Sequence, residues 1–210
     1  YQHVLEESHP GLYWYTSKDS MDSYFRWGEQ QLKDSMTEPE FRKVLSYVTS
    51  KINCGHTSVR ASKAYSKYQD TVAIRRIFPL SMKFWPGRTP LEKDTMVVAV
   101  NLNRKDSILK RGSVITIING RTTAEIIDTL FNYLPTDGYN RTHKFQTLSN
   151  RGSFGSLYSS VFGYSAKYSI GYIDSTGQSK SVSVPIYYPA LDSATRASII
   201  PITRLPQPSR

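Results

Sequence analysis

The stretch that most constrains the fold is residues 108–134, where a short β-branched run, a tight turn and a capped helical pattern follow one another without a break. The β-branched run lies between glycines and is too short for a helix, so it predicts a buried strand. The Asn119-Gly120 pair after it is typical of a turn. The apolar members of the predicted strand are Val114, Ile115, Ile117 and Ile118.

A capping box predicts that a helix follows this turn. The Thr122 side chain is placed to accept from the amide three residues on, while Glu125 reaches back to the Thr122 amide. Pro135 ends the helix, because proline cannot continue its hydrogen-bond ladder. The predicted apolar face consists of Ile126, Ile127, Leu130, Phe131 and Leu134.

Residues 1 to about 70 have helical spacing and predict a helical hairpin. Thr37 and Glu40 form a second capping box, and Gly55 is placed to give this helix a left-handed cap. The aromatic run from Tyr13 to Tyr15 is expected to pack beneath the next helix rather than remain in water. The predicted buried stripe consists of Phe41, Val44, Leu45, Val48 and Ile52.

From Phe78 onward the pattern changes from helices to strands. Residues 78–85, 96–102, 167–173 and 180–188 predict strands, and a helical stretch after Gly138, with Phe154 on its apolar side, ends at Gly163; residues 59–76 fit either a strand or a short helix. The chain therefore predicts an α+β fold, with an N-terminal helical hairpin domain (1–72) and a β-sandwich or barrel with helices (73–190). Residues 191–210 are rich in Ser, Thr and Pro without periodicity, which is typical of a linker.

Charge and cysteine content limit the classes of function. Lys and Arg number 27 against 17 Asp and Glu, a net charge of +10, but the basic residues form pairs rather than a stripe. This predicts a solvated basic surface rather than a nucleic-acid site. Cys54 is the sole cysteine and the four histidines lack ligands at metal spacing, so neither a metal nor a cofactor is expected. No apolar run approaches the ~20 residues that span a bilayer.

Several ordered motifs carry a family resemblance. Residues 110–121 (Lys-Arg-Gly-Ser-Val-Ile-Thr-Ile-Ile-Asn-Gly-Arg) precede the predicted helix, and residues 134–140 (Leu-Pro-Thr-Asp-Gly-Tyr-Asn) follow it. Upstream lie residues 9–13 (His-Pro-Gly-Leu-Tyr) and 54–57 (Cys-Gly-His-Thr). This order resembles the N-terminal helical and PDZ segments of the C-terminal processing (tail-specific) serine peptidases, especially their Bacteroides-type members. Cys54 stands where that family usually has Asp.

The resemblance implies that residues 73–190 form a PDZ-like domain, in which an extended peptide adds to a strand edge and loop amides hold its terminal carboxylate. The matching loop is residues 78–81, where Pro79 has no amide to donate. The expected strand begins at Met82, and the opposite wall is the helix after Thr122. The expected peptide-binding residues are Phe78, Leu80, Ser81, Met82, Ile126, Ile127 and Leu130. The alternative for the last three is that they pack on the sheet as core residues.

Catalysis in the resembled family uses a Ser nucleophile and a Lys base, both in an α/β domain after the PDZ segment. This chain ends where that domain would begin. Residues 152–156 (Gly-Ser-Phe-Gly-Ser) superficially resemble a nucleophile elbow, but no strand leads into them. Ser153 is instead predicted to cap a helix, and no catalytic residue is expected in the chain.

The leading hypothesis is a noncatalytic regulatory fragment of an exported serine endopeptidase, which presents or gates peptide substrate. Its expected partners are peptide or protein C-termini and no nucleic acid, and a homo-oligomer stays open. Tyr1 stands where an initiator Met would, so we expect that an export signal was removed and that the location is periplasmic or extracellular. The alternatives are a stand-alone PDZ-like adaptor or inactive paralogue, and a surface protein that binds anions through its +10 charge.

Overall fold

The computed structural model describes residues 1–72, 75–87, 89, 92–104 and 106–189. Within these residues seven helices and a six-stranded antiparallel sheet form a mixed α+β fold, which confirms the predicted class. The predicted linker, residues 191–210, lies outside the described residues. No helix of the described part is long and apolar enough to cross a bilayer.

The N-terminal part is helical, as predicted. It contains α1 (Gln2–Ser8), α2 (Lys18–Gln30), α3 (Glu38–Ser50) and α4 (Lys63–Thr71). The capping box of α3 is confirmed, since the Thr37 amide donates to Glu40 Oε2 at 2.8 Å. Residues 59–76, for which strand and helix were both open, contribute α4.

Three details of the helical part differ from the predictions. Phe41 is 42% exposed, because the first turn of α3 lies at the rim of a cavity of about 280 Å³ rather than beneath α2. Trp14 is 76% and Tyr15 44% exposed, so only Tyr13 of the aromatic run packs against the buried cluster that includes α2. The left-handed residue after α3 is Asn53 (φ 57°) and not Gly55.

The sheet follows with its own helices. Its strand order is β1-β2-β3-β5-β6, all neighbours are antiparallel, and β4 pairs with β3. Beyond the two outer strands, Ile77 and Tyr187 exchange two backbone hydrogen bonds of 2.9 and 3.0 Å, which draws the ends of the sheet together. The elements are β1 (Leu80–Trp85), β2 (Thr95–Asn101), β3 (Val114–Ile118), β4 (Arg121–Thr122), α5 (Thr123–Phe131), α6 (Arg141–Ser149), α7 (Ser153–Phe162), β5 (Lys167–Ile173) and β6 (Ser179–Pro185).

The predicted strand, turn and capped helix of residues 108–134 are confirmed as β3, a turn and α5. Asn119 and Gly120 both have positive φ, as a tight turn of this kind requires. The Thr122 amide donates to Glu125 Oε2 at 2.7 Å, and the Thr122 side chain accepts from the Glu125 amide. This box starts α5 directly after the sheet and sets its apolar face on the core.

The helical stretch predicted between Gly138 and Gly163 consists of two helices, α6 and α7, and the start of α7 was misassigned. The Asn140 side chain caps α6 by accepting from the His143 amide at 3.2 Å. In α7 the predicted cap, Ser153, is the first helical residue, and the N-cap is Gly152 with φ 80°. Glycine has no side chain, so the first turn of α7 has no side-chain cap.

Two buried clusters hold the described chain together. The larger lies between the sheet and α5, α6 and α7, and the smaller consists of Leu12, Met21, Phe25, Val48 and Ile52. The Ser50 hydroxyl joins the two parts by donating to the Asn132 carbonyl at 2.6 Å. The predicted domain boundary at 72–73 stays a prediction.

Candidate peptide-binding site

Helix α6 covers the outer edge of β1, where a peptide strand was expected to add. The Phe84 amide, which points away from β2, donates to the buried Ser149 hydroxyl at 3.0 Å. On its other side α6 packs on α5, with the Phe131 and Phe145 ring centroids 4.9 Å apart. The space between β1 and α5 is therefore filled by α6.

The structure places four of the seven predicted binding residues inside the core. Met82, Ile126, Ile127 and Leu130 are completely buried and belong to the larger core cluster. They line no open groove among the described residues, because α6 supplies the apolar partners that a peptide would have supplied. The alternative given for the three α5 residues, packing as core, describes them correctly.

The other three predicted residues come together at the start of β1. Phe78, Leu80 and Ser81 line a cavity of about 420 Å³ that also reaches the end of β2 and the first turn of α7. The three are themselves largely buried, so each presents only a small part of its surface to the cavity. The Pro79 carbonyl accepts from the Leu102 amide at 2.9 Å, which fixes the loop before β1 against the end of β2.

The charge around this cavity is positive. Arg104 and Arg151, both exposed, are in its lining, and none of the described residues that line it is Asp or Glu. Within the described part of the chain neither guanidinium forms an ion pair. Since guanidinium groups bind carboxylates through paired N–H donors, the cavity suits a carboxylate.

Gly155 brings α7 against this cavity. A Cβ atom at this position would lie 2.8 Å from Phe78 Cβ, closer than such atoms approach. The absence of a side chain therefore lets α7 lie directly on the chain before β1. This close approach places the first turn of α7, which begins at Gly152 without a side-chain cap, in the cavity wall.

The described side chains that could take part in catalysis are engaged in other contacts. His9 Nε2 and Thr57 Oγ1 are 2.8 Å apart, but His9 Nδ1 is buried without a partner, so no acid orients the ring. Burial lowers the pKa of Lys144 to about 8, yet its ammonium donates to the Phe131 carbonyl. Among the described residues no Ser hydroxyl is hydrogen-bonded to a Lys or His side chain.

The two arginines of the cavity were missed by sequence reasoning. In the sequence Arg104 is one member of a basic pair with Lys105, and Arg151 directly precedes the apparent elbow at residues 152–156. The available signal was a basic residue directly before a Gly-Ser helix start, since an uncapped helix N-terminus favours anions. Only the fold brings Arg104 and Arg151 to the same cavity as Phe78.

Comparisons with known proteins now bear on the fold. No protein-family model and no curated protein sequence matches this chain. A crystal structure of a CPAF mutant matches 89% of this chain and 32% of CPAF, with a TM-score of 0.54 and 14% identity. Mature CPAF complexed with lactacystin matches 98% of this chain and 37% of CPAF, with a TM-score of 0.54 and 11% identity.

At these identities the likeness shows the fold alone, and the chain spans about a third of the length of the CPAF chains it matches. CPAF is a chlamydial serine protease with a tail-specific-protease-like fold. The expected resemblance is thus upheld at the level of a related protease-like fold and not at the level of the Bacteroides type. The chain shares its fold with a segment of the serine protease CPAF.

Proposed function

We propose that this chain is the noncatalytic, peptide-binding part of an exported serine peptidase of the C-terminal processing type, where it presents or gates peptide substrate. The fold shared with a segment of CPAF and the ordered motifs of residues 9–140 support this proposal. A PDZ-like architecture, kinship with the Bacteroides-type members and a periplasmic or extracellular location are parts of the same proposal.

The observation that carries the proposal is the cavity at the start of β1. It lies at the loop that the resemblance assigns to carboxylate binding, and Phe78, Leu80 and Ser81 line it. Pro79 has no amide to donate to a carboxylate. Arg104 and Arg151 supply positive charge at this cavity instead. The ligand is therefore a peptide whose terminal carboxylate lies between the two guanidinium groups.

The covered edge of β1 limits how such a peptide binds. Strand addition along β1 needs the Phe84 amide, which Ser149 already occupies. Only the first residues of β1, beside the cavity, are left for the peptide backbone. Binding is consequently short and anchored at the carboxylate, and α6 would gate any longer pairing.

Calorimetric titration with two peptides of one sequence tests this proposal. Both carry an apolar last residue, but one ends in a free acid and the other in an amide. The free acid is expected to bind about tenfold more tightly, as charge-assisted hydrogen bonds to a carboxylate are worth about 1.5–3 kcal/mol before solvent screening. Arg151→Gln should remove that advantage.

Arg26→Gln is the matched control, because it removes the same charge from the exposed face of α2, away from the cavity. It should leave the difference between acid and amide unchanged. Equal affinities of the two peptides for the unmodified chain would refute carboxylate capture. Failure of both peptides to bind at millimolar concentration would refute peptide binding by this chain.

A further inference from the structure

A second cavity lies on the other side of the first turn of α7. It has a volume of about 570 Å³ and extends between α4 and α7. Gly152 and Gly155 line both this cavity and the one at the start of β1, so the two are separated only by the helix turn and by residues 77–78. The side chains used below are Tyr65, Tyr68, Arg76, Ser159 and Tyr164.

The charge of this second cavity is also uncompensated. None of the described residues that line it is Asp or Glu. Arg75 is paired with Asp70 at 2.8 Å, but Arg76 has no carboxylate partner in the described part of the chain. The Arg76 guanidinium instead lies 4.6 Å from the centre of the Tyr164 ring. That ring orients the guanidinium without neutralising its charge.

A buried hydroxyl in the same wall lacks a partner. Ser159 is 5% exposed, and its Oγ accepts from and donates to no described group. Leaving a buried hydroxyl unpaired is unfavourable, and an oxygen of a bound ligand would satisfy it. The first turn of α7, which has no side-chain cap, lines the same cavity and adds a positive partial charge to its wall.

Aromatic side chains form the remaining walls. Tyr68 is 61% exposed and Tyr164 48% exposed, and the Tyr65 and Tyr68 rings lie 6.2 Å apart. Tyrosine and arginine are enriched where proteins bind other proteins. Nucleic acid fits less well, because a phosphate backbone needs a row of free cations, and among the described residues that line this cavity only Arg76 lacks a carboxylate partner.

We propose that this cavity binds the carboxylate of an Asp or Glu side chain, so that the preferred ligands are peptides with an acidic residue upstream of the C-terminus. The inference rests on the proposed function, since the terminal carboxylate of the same peptide lies in the cavity at the start of β1. Arg76 pairs with the acidic side chain, and the Ser159 hydroxyl donates to its second oxygen. The first turn of α7 thus separates two carboxylate sites.

Two chemical changes to one peptide separate this inference from the proposed function. The peptide carries a Glu upstream, and its variants replace that Glu by Gln, the terminal acid by an amide, or both. We expect the Glu peptide to bind about tenfold more tightly than the Gln peptide, whether the C-terminus is a free acid or an amide. Amide resonances of Ser159 and Tyr164 should shift with the Glu peptides alone, and Arg76→Gln should abolish the gain while Arg104→Gln and Arg26→Gln retain it.

The outcomes are distinguishable. If the free acid aids binding but Glu and Gln peptides bind equally, the proposed function stands and this inference is wrong. If the Glu aids binding through Arg76 while the acid and amide bind equally, this cavity is an acidic-residue site and the carboxylate site at β1 is wrong. A single-stranded oligonucleotide that binds more tightly than the Glu peptide, and loses affinity in Arg76→Gln, would overturn the peptide assignment.

Discussion

Lys144 shows how a single charge is tolerated between two packed helices. It lies half-buried between α5 and α6, where it donates to the Phe131 carbonyl at 2.9 Å. Burial, followed by repulsion from Lys51 and Arg141, lowers its pKa from 10.5 to about 8. The charged ammonium is therefore less favourable in the folded chain than in the unfolded one.

We predict that this charge makes stability rise with pH. Between pH 8 and 10.5 the unfolded chain binds more protons than the folded chain at this site, so the free energy of unfolding increases through that window. Between pH 7 and pH 10 the free energy of unfolding of the unmodified chain should rise by about 1 kcal/mol more than that of Lys144→Met, after allowance for solvent screening. Urea unfolding at both pH values measures the gain. Lys63→Met controls for loss of an exposed charge, and parallel pH curves for the unmodified chain and Lys144→Met would contradict the prediction.

Gly155 is the residue most sensitive to enlargement at the candidate site. Alanine there forces its Cβ to within 2.8 Å of Phe78 Cβ, which is too rigid to yield. We predict that Gly155→Ala lowers the free energy of unfolding by about 1–3 kcal/mol, the usual cost of overpacking. Chemical denaturation provides the measurement, with the exposed Ser160→Ala on the same helix as control. Equal stability of the two variants would show that α7 can move away from β1.

At the scale of elements, α6 is the helix that decides whether β1 is accessible. Its hold on the strand includes one buried hydrogen bond, from the Phe84 amide to Ser149. The apolar side chains of Phe145 and Leu148 complete the contact with the core. The helix is therefore anchored mainly at its C-terminal half.

Removing the Ser149 hydroxyl should weaken the contact between α6 and β1. Ser149→Ala leaves the buried Phe84 amide unpaired, which costs about 1–3 kcal/mol. We predict that hydrogen exchange at the Phe84 amide accelerates by one to two orders of magnitude, a change that NMR can follow residue by residue. Thr147→Ala, on the same helix, removes a hydroxyl that bonds within α6 and should leave this amide protected. Unchanged exchange in Ser149→Ala would indicate that apolar packing alone holds α6.

These elements also show what sequence can predict. Helices α3 and α5 were found because local capping boxes mark their starts, and β3 because a β-branched run lies between turns. The stretch after Gly138 was predicted as helical, but its division into α6 and α7 was missed, although Asn140 caps α6. The arginines of the candidate site were missed for another reason. Phe78, Arg104 and Arg151 are far apart in the chain, and no local pattern tells which loops a sheet will bring together.

At the scale of the whole molecule, the helical part depends on the sheet part. Its cluster of five buried apolar residues is small for an independent unit. Polar contacts join the two parts, among them the Gly55 amide to Asp137 Oδ1 at 2.7 Å. A row of rings continues the contact, since Tyr47 packs on both Trp27 and Tyr133.

We therefore predict that the two parts unfold together. A variant with the exposed Trp14 and Trp85 replaced by Phe would keep Trp27, in α2, as the fluorophore of the helical part, while amide resonances of β3 would report on the sheet part of the same variant. Both probes should report the same urea midpoint, and adding Tyr133→Ala should lower the free energy of unfolding that each reports by the same amount, about 1–2 kcal/mol. Tyr68→Ala, on the exposed face of α4, is the control and should change neither. Separate midpoints would mean that the helical part is stable by itself.

The cover of α6 over β1 has a consequence for behaviour at high concentration. An open outer strand offers unpaired amides to a neighbouring molecule and so promotes aggregation. Here Ser149 occupies the Phe84 amide at one end of the sheet. At the other end β6 carries Lys180 and finishes at Pro185, both of which discourage pairing. The chain should therefore resist edge-to-edge polymerisation. Loss of the α6 cover would expose the edge of β1 and should promote such polymerisation.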